Sequence, residues 1–355
     1  MTEPFPVQLC RGREYRGGER QVALLLRNLP GAERPPLLTG RATTLARVLA
    51  AEGYPVHQVP WRLAWDPRTL ATMLARLRPW CRAHHDRVVL HAHDSHALAL
   101  GLVLAALCDV PLVATRRSVT APGSLWRQPA RVIAISEAVA TQLEAGGVPR
   151  TRIVQIPSAV SRAQLTRLAA APRPPRSHMR IIAVGALTRE KGHRCLITAF
   201  ADLAPRFPTA ELVLVGDGPE RRHLEHAVRR RQLGPGVRLA GAQPDAAPWI
   251  ADADLLVQPS RREALGTAVL EAMALGVPVI ATATGGLVEL LRDGAGLLVP
   301  PDDPPALTAA MDRVLSDGPL RLGMVQTARH RTEGFDAPGV AERITQVYRS
   351  ALRDR

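Results

Sequence analysis

The sequence predicts an α/β fold of two parallel-sheet domains, and three observations support this prediction. Short apolar runs of strand length alternate with longer segments of helical periodicity along the chain, which is the pattern of βα units. A chain of 355 residues is long enough for two hydrophobic cores. Residues 161–178 carry Pro172, Pro174 and Pro175 among alanines and arginines, a composition typical of an interdomain linker.

The first domain is expected over residues 1–165, followed by a linker at 166–178. Its expected strands are residues 6–9, 54–59, 87–91, 111–115, 131–135 and 152–156. Its expected helices are residues 18–29, 43–52, 66–84, 97–108 and 136–146. Ser136 is a good N-cap for the last of these helices, and the helix at 97–108 is so apolar that we expect it to be buried.

The second domain is expected over residues 179–335, and a final helix is expected near residues 338–353. Strands are predicted at residues 179–185, 210–215, 237–241 and 278–281. Helices are predicted at residues 193–207, 220–232, 266–275 and 305–316, with a helix-to-strand segment at 249–255. Gly276 directly follows the helix at 266–275, where glycine commonly ends a helix.

Composition excludes a membrane-embedded or disordered chain, because 46% of the residues are hydrophobic and 22% are charged. The most apolar stretch, 97–108, is shorter than the roughly 20 residues that span a bilayer, and the first twenty residues have no apolar run of a secretory signal. The four cysteines are scattered without metal-ligand spacing. These features predict a cytoplasmic protein without structural zinc.

The positive charge is concentrated in the first half of the chain. Residues 1–176 hold 24 arginines against 11 acidic residues, a net charge of +13, whereas residues 177–355 have a net charge of +1. This asymmetry predicts that the first domain meets an anionic surface such as anionic lipid, lipopolysaccharide phosphate or nucleic acid. The alternative is a generally arginine-rich protein with a solvated surface.

The stretch of residues 260–289 carries the clearest chemistry. Glu263 lies in the loop before the predicted helix at 266–275, and Glu271 lies two turns into that helix. The helix start, with Gly266 and Thr267, offers free N–H groups for a diphosphate, and the two carboxylates suit sugar hydroxyls. These features describe a nucleotide-sugar site. The alternative reading is an amphipathic helix with one exposed glutamate and one capping glutamate.

Lys191 is the only lysine among 46 basic residues, and it lies in a loop that precedes a glycine. Because every other basic residue of the chain is arginine, the single lysine indicates that a compact ammonium group is required at this position.

These residues together resemble the donor-site signature of retaining glycosyltransferase family 4. The signature consists of Glu263, seven intervening residues and Glu271, followed by EAMALGVPVIAT and a Gly-Gly pair. The resemblance covers nearly the full length and implies the GT-B fold, in which two Rossmann-like domains face each other across a cleft. It implies an N-terminal acceptor domain, a C-terminal nucleotide-sugar domain and a last segment, 336–355, that crosses back to the first domain.

The resemblance implies a role for several residues of the second domain. Lys191 and the start of the helix at Gly266 and Thr267 would meet the donor phosphates, Glu271 the ribose hydroxyls and Glu263 the sugar hydroxyls. The strand-end residues Gly216 and Asp217 belong to a further family motif. The family usually has Gly-Arg where this chain has Gly185-Ala186, so Arg189 is expected to supply the missing charge.

In the first domain, the resemblance implies that Gly17 and Gly18 contact the donor diphosphate. It also implies that His93, in the sequence HAH, hydrogen-bonds the transferred sugar while His91 packs. The alternative is two histidines satisfied at a strand end. Arg116, Arg117 and Trp126, in and before a basic loop at 119–128, are candidates to contact an acceptor headgroup.

The predicted function is a metal-independent, retaining glycosyltransferase without a cofactor. It would move a sugar from a nucleoside-diphosphate donor to a lipid-linked or lipopolysaccharide-type glycan at the inner face of the cytoplasmic membrane. A dinucleotide-dependent oxidoreductase would need G-x-G-x-x-G, and the sequence at 216–218 lacks the third glycine. A nucleic-acid binder has only charge in its favour, since aromatic residues make up 3% of the chain. A basic, non-catalytic binding protein on a degenerate GT-B scaffold is a further alternative.

Overall fold

The structure is a computed structural model that describes residues 3–12, 15, 17–31, 33–61, 66–171 and 178–354. The chain divides into two compact units, unit 1 of residues 1–159 and 337–355 and unit 2 of residues 160–336. The two α/β domains are therefore confirmed, and the last segment, 337–355, belongs to unit 1. No helix of the described residues is both long enough and apolar enough to span a bilayer.

Within the described residues, the strands and α-helices are numbered along the chain. The strands are β1 Phe5–Cys10, β2 Leu37–Gly40, β3 Val56–Val59, β4 Val88–Ala92, β5 Leu112–Arg116, β6 Arg131–Ala134, β7 Ile153–Gln155, β8 Arg180–Val184, β9 Glu211–Val215, β10 Val237–Gly241, β11 Leu255–Gln258, β12 Val279–Thr282 and β13 Leu297–Val299. The helices are α1 Gly17–Asn28, α2 Thr44–Ala51, α3 Pro67–His84, α4 Ser95–Cys108, α5 Glu137–Ala145, α6 Arg162–Ala169, α7 His193–Leu203, α8 Arg221–Arg230, α9 Ala247–Ala251, α10 Thr267–Leu275, α11 Gly286–Leu291, α12 Pro304–Ser316, α13 Gly318–Arg331 and α14 Ala337–Arg353.

Unit 1 is built on a parallel sheet whose strands lie in the order β3-β2-β1-β4-β5-β6-β7 among the described residues. The order reverses at β1, which pairs with both β2 and β4. Because side chains alternate along a strand, Val89 and His91 of β4 both face α14. The apolar face of α14, with Val340, Ile344 and Tyr348, packs on this side of the sheet.

Unit 2 has a second parallel sheet, of order β10-β9-β8-β11-β12-β13 in the part of the chain that is described. Its order reverses at β8, which pairs with both β9 and β11. In open parallel sheets, ligands bind at the carboxyl ends of the strands beside such a reversal. The loops that follow β8 and β11 in unit 2, and β1 and β4 in unit 1, are therefore the places to look for a site.

The boundary between the units falls after Ala159, earlier than the predicted end at 165. Helix α6 belongs to unit 2, where it packs against α9 and α10, and the Val160 N–H donates to the Phe335 carbonyl. Part of the predicted linker, 172–177, lies outside the described residues. The other differences are elements that were not predicted. Strands β2 and β13 are only four and three residues long, and α11 and α13 are further additions.

Candidate active site

The candidate donor site lies where the loops after β8 and β11 meet. The backbone N–H of Arg261 donates to the carbonyl of Glu190 at 2.8 Å, and the Arg262 guanidinium lies 2.5 Å from the Glu190 carboxylate. A Cβ atom on Gly192 would lie 1.8 Å from the carbonyl oxygen of Pro259. Only glycine allows this approach, so the two loops are held in contact by backbone as well as by charge.

Lys191 and Glu263, predicted to serve different parts of a donor, form an ion pair in this structure. The distance from Lys191 Nζ to Glu263 Oε2 is 2.5 Å, and the two side chains are 25% and 11% exposed. Ser260 Oγ donates to the same carboxylate oxygen at 3.2 Å, and Gln258 Nε2 donates to Ser260 Oγ at 2.8 Å. Glu263 is thus held from two sides, by the ammonium group and by a buried polar chain from β11.

The loop of Glu263 also rests on the Gly-Gly pair of the sequence signature. Gly285 has φ +51°, and a Cβ atom there would lie 1.7 Å from the Glu263 carbonyl oxygen. A Cβ atom on Gly286 would lie 2.6 Å from the carbonyl oxygen of Ala264. Both glycines are required for packing under the loop, which fixes where the Glu263 carboxylate points.

Helix α10 begins at the end of this loop. Gly266 is its N-cap with φ +97°, and its first turn has no side-chain cap among the described residues. The first N–H groups of α10 are therefore left to a ligand or solvent, and they carry the positive end of the helix dipole. Thr267 and Glu271 are four residues apart and so lie on the same side of α10. The predicted helix start is confirmed.

The loops after β8 and β9 pack against each other through glycine. Gly216 has φ +146°, and a Cβ atom there would lie 1.9 Å from the carbonyl oxygen of Gly185. The Asp217 carboxylate accepts from the Gly218 N–H at 2.7 Å and lies 3.4 Å from Arg221. Asp217 is half-exposed and shapes its own turn. The structure thus gives Gly216 and Asp217 a role in loop geometry.

Arg189 is placed apart from the Lys191–Glu263 pair. Its side chain is 82% exposed, and Nε lies 3.6 Å from the Glu220 carboxylate, its ion pair within the described residues. The charge expected to replace the family arginine at Ala186 therefore projects into solvent in this structure. Its role toward a donor remains a prediction.

His193, the first residue of α7, was not among the predicted site residues. It is 2% exposed, and its ring lies against the backbone of Gly185 and Ala186. Burial, together with the positive charge of Lys191, lowers the pKa of His193 to about 4. The imidazole is therefore neutral at the base of the donor loop. Its position directly after the Lys-Gly pair was the signal that could have found it.

In unit 1, the predicted residues Gly17, Gly18, His93 and Arg117 lie beyond the carboxyl ends of β1, β4 and β5. Gly17 and Gly18 form the first turn of α1. The Arg117 side chain lies close to Gly18, since a Cβ atom added to Gly18 would be 4.0 Å from Arg117 Cδ. Arg117 Nη1 is 3.5 Å from His93 Nδ1. The structure therefore brings Gly18, His93 and Arg117 together.

Both histidines of the HAH sequence are buried. His91 makes hydrogen bonds of 2.7 Å to the Tyr348 hydroxyl and to Thr115 Oγ1, and His93 Nε2 lies 2.7 Å from Gln8 Oε1. Burial lowers the pKa of both imidazoles well below its usual value, so both are neutral. His91 packs as expected. Gln8 and Tyr348 were missed, although Gln8 is the polar residue in an otherwise apolar strand.

Arg117 has an unused hydrogen-bond donor. Burial lowers the pKa of its guanidinium, although the negative charges of Glu19 and Asp94 act in the opposite direction, and its Nε has no hydrogen-bond partner among the described residues. A half-buried guanidinium with an unused donor beside a helix start is suited to an anionic ligand.

Trp126, a candidate to contact an acceptor headgroup, is buried. Trp126 is 4% exposed and lies in a short 3₁₀ turn, Ser124–Arg127, where the Arg116 guanidinium covers its ring at 4.8 Å. Arg116 is itself buried and donates to the carbonyl and hydroxyl oxygens of Thr120 at 2.8 and 3.0 Å. The two side chains stabilise each other, because cation–π contact and hydrogen bonds satisfy both. Neither side chain presents a surface to an acceptor.

The acidic residues near these sites have structural partners. Asp94 caps α4 and accepts from the Arg11 N–H at 2.8 Å. Asp252 and Asp254 bind Arg180 at the opposite edge of the unit 2 sheet, where β8 and β11 begin. In the described part of the chain, no group of three or more His, Cys, Asp or Glu side chains is arranged to hold a metal ion.

Comparison with known proteins identifies the family. The family model for group 1 glycosyl transferases matches residues 178–317, and that for glycosyltransferase family 4 matches residues 15–164. A phosphatidyl-myo-inositol mannosyltransferase of Mycolicibacterium smegmatis is 31% identical over 81% of this chain and 76% of its own length. The lipopolysaccharide core biosynthesis glycosyltransferase LpsE of Rhizobium meliloti is 32% identical over 56% of this chain and 54% of its own length.

A solved structure supports the fold. The Anabaena protein Alr3699/HepE, in complex with UDP and glucose, superposes with a TM-score of 0.83 over 98% of this chain and 100% of its own, at 21% identity. At this identity the similarity establishes the GT-B fold. The sequence matches go further, and from them the chain belongs to the group 1 glycosyltransferases of the family 4 type.

Proposed function

We propose that this glycosyltransferase moves a sugar from a nucleoside-diphosphate donor to an envelope glycan or glycolipid, with retention of configuration and without a metal ion. The observation that carries the proposal is the Lys191–Glu263 pair, held at the reversal point of the unit 2 sheet. The uncapped start of α10 follows three residues later. A cation, a carboxylate and a helix N-terminus are what a diphosphate-linked sugar requires.

Donor binding is proposed as an exchange of partners. In this structure, Lys191 and Glu263 neutralise each other. A bound diphosphate would replace Glu263 as the partner of Lys191, and sugar hydroxyls would replace Lys191 as donors to Glu263. Each partly buried charge then remains compensated, which avoids the cost of an unpaired charge. Glu271, on the same side of α10 as Thr267, would accept hydrogen bonds from the ribose hydroxyls.

The chemical step follows from the same groups. As the C1–O bond of the donor breaks, negative charge accumulates on the leaving diphosphate, where Lys191 and the N–H groups of α10 stabilise it. The acceptor hydroxyl attacks from the face that the diphosphate leaves, and a phosphate oxygen takes its proton. The new C1–O bond therefore keeps the original configuration.

The proposed acceptor is a lipid-linked anionic glycan at the cytoplasmic face of the membrane. Helix α3 of unit 1 exposes four arginines, Arg68, Arg76, Arg78 and Arg82. Four exposed guanidinium groups on one helix attract anionic headgroups. The names of the relatives, a phosphatidyl-myo-inositol mannosyltransferase and a lipopolysaccharide core enzyme, support an envelope acceptor.

Calorimetric titration tests the donor site. UDP, GDP, ADP and NAD are titrated into the chain and into Lys191→Ala, with and without a chelator. We expect one nucleoside diphosphate to bind, with UDP tried first because the similar Anabaena protein binds it, and we expect Lys191→Ala to weaken this binding at least tenfold. Arg206→Ala, which removes an exposed cation of unit 2, is the matched control and should bind normally. Equal binding by Lys191→Ala, a requirement for a metal, or binding of NAD alone would contradict the proposal.

Vesicle sedimentation tests the membrane proposal. Binding to vesicles of anionic lipid should fall for Arg78→Glu/Arg82→Glu on α3 and stay unchanged for Arg229→Glu/Arg230→Glu. The second pair is exposed at the end of α8 in unit 2 and changes the net charge equally. Equal losses in both variants would show that net charge alone attracts the chain, and would contradict a role for α3.

A further inference from the structure

His93 ends a chain of hydrogen bonds that runs through β1 to the last helix of unit 1. Its Nε2 lies 2.7 Å from Gln8 Oε1. Gln8 Nε2 donates to the Pro6 carbonyl at 3.3 Å and to the Tyr348 hydroxyl at 3.4 Å. The Tyr348 hydroxyl lies 2.7 Å from His91 Nδ1. Gln8, His91 and Tyr348 are 0% exposed and His93 is 6% exposed, so water does not compete for these bonds.

The chemistry of the partners fixes where the protons lie. The Pro6 carbonyl can only accept, so the amide nitrogen of Gln8 must face it and the amide oxygen is left for His93. An amide oxygen only accepts a hydrogen bond, so Nε2 of His93 must carry a proton. Because burial keeps this imidazole neutral, its Nδ1 carries a lone pair.

The remaining bonds agree with this assignment. The Tyr348 hydroxyl accepts from Gln8, so its own proton points to His91 Nδ1, and His91 Nε2 then donates to Thr115 Oγ1. Arg117 Nη1, which can only donate, lies 3.5 Å from His93 Nδ1. A proton on His93 Nδ1 would leave two hydrogen-bond donors facing each other. Every donor in the chain therefore faces an acceptor.

We propose that Gln8 and Tyr348 are positioning residues that hold His93 as the Nε2–H tautomer. Its Nδ1 is thereby kept as an acceptor, which a hydroxyl of the bound sugar takes over from Arg117 Nη1. The inference rests on the proposed function, together with the expectation from the family resemblance that His93 hydrogen-bonds the transferred sugar. In this tautomer His93 accepts a hydrogen bond and does not serve as a general acid. A sugar hydroxyl that donates to Nδ1 gains a fixed partner, so the chain from α14 contributes to the choice of sugar.

Nitrogen NMR of the full-length chain labelled with ¹⁵N-histidine reads the tautomer without any substrate. The His93 signals are assigned by their loss in His93→Asn. We expect the unprotonated resonance at Nδ1 and the protonated resonance at Nε2. In Gln8→Met, which keeps the side-chain length and removes the amide, we expect a mixture of both tautomers. In Tyr348→Phe, where Gln8 keeps Pro6 as a partner, we expect a smaller change in the same direction.

Activity provides the second readout. Gln8→Met should lower turnover about five- to tenfold, the effect of one neutral hydrogen bond, while nucleoside diphosphate binding stays unchanged because Lys191 and the start of α10, which hold the diphosphate, lie in unit 2. Gln21→Met is the matched control. Gln21 also bonds twice to buried backbone in unit 1, to the N–H and the carbonyl of Ala159, and within the described residues it forms no hydrogen bond with His91 or His93. Its substitution should cost stability without changing the tautomer or turnover.

The outcomes separate the inference from the function on which it rests. A proton on His93 Nδ1 in the unsubstituted chain, or an unchanged tautomer in both Gln8→Met and Tyr348→Phe, overturns the inference even if sugar transfer is established. If the tautomer responds as expected but no donor sugar is transferred, the positioning chain is supported and the proposed function fails. If Gln8→Met does not fold, Tyr348→Phe decides the question, because it removes one hydroxyl and keeps the ring.

Discussion

Lys191 Nζ lies 2.5 Å from Glu263 Oε2, although 72 residues separate the two in the chain. The contact exists because β8 and β11 are neighbours in the sheet, so the loops that follow them leave the same edge side by side. The ammonium group and the carboxylate are therefore one functional unit in the free protein, and removing either leaves a partly buried charge without its partner.

A double-mutant cycle on Lys191→Ala and Glu263→Ala tests this coupling. Each single variant should lower the free energy of unfolding by about 1–3 kcal/mol, the cost of an unsatisfied partly buried group. The double variant should cost less than the sum, because it leaves neither charge alone. Turnover should fall by about 10²–10³ for Lys191→Ala, since it stabilises the leaving group. Strict additivity in the denaturation measurements would contradict the pairing.

A methyl group at Gly192 should separate the two donor loops. Gly192→Ala places a Cβ atom 1.8 Å from the Pro259 carbonyl oxygen at a residue with φ +67°, so the backbone must move. We expect a loss of roughly 2–4 kcal/mol in unfolding free energy from strain and lost packing, and weaker nucleotide binding. Gly234→Ala, where nothing lies within 4 Å of the added Cβ atom, should change stability by less than about 0.5 kcal/mol. Similar effects of the two substitutions would argue against the close approach.

His193 should make stability depend on pH. Its pKa is about 4 in the folded chain and about 6.5 when unfolded. Between these values the unfolded chain binds a proton and the folded chain does not, so stability is lost as pH falls from 6.5 to 4. The loss from this residue approaches roughly 3 kcal/mol.

Urea denaturation of the chain and of His193→Leu at several pH values provides the measurement. The variant should show a shallower loss of stability between pH 6.5 and pH 4. Above pH 7.5 the imidazole is neutral in both folded and unfolded chains, so the slopes of the two proteins should agree there. An equal slope below pH 6.5 would show that His193 is protonated in the folded chain.

The sequence predicted what local chemistry determines. Ser136 caps α5 as expected, Gly276 ends α10 with φ +74°, and the βα alternation gave most elements. Strand β2 was missed because two leucines between prolines and a short polar segment carry almost no periodicity. Caps and long amphipathic runs are signals within the local sequence and can be predicted from it. A four-residue strand is defined by the strands it pairs with, which the local sequence does not show.

The candidate site was predicted as separate residues and not as contacts. Lys191 and Glu263 were both identified, but their pairing depends on sheet order, which a single sequence does not state. Tyr348 reaches His91 across 257 residues through the packing of α14. The burial of Trp126 under Arg116 could not be predicted for the same reason, because it arises from the folding of a loop on itself.

Two neighbouring arginines should separate structure from function. Arg116→Met removes the cation over Trp126 and two hydrogen bonds to Thr120, so it should lower the free energy of unfolding by about 1–3 kcal/mol and change Trp126 fluorescence. Arg117→Met removes a guanidinium that has an unused donor among the described residues. The substitution should leave the free energy of unfolding nearly unchanged or raise it, because the cost of burying the charged guanidinium is removed. We expect kcat/KM to fall about tenfold or more.

Each variant is the control for the other, because the side chains are adjacent, carry the same charge and are replaced by the same residue. Thermal unfolding and steady-state sugar transfer are measured on both. If Arg117→Met unfolds more easily and transfers sugar normally, its guanidinium is structural and the anionic ligand lies elsewhere. If Arg116→Met loses activity at full stability, Arg116 must leave Trp126 during the reaction, and the loop around Trp126 would regain a role at the acceptor.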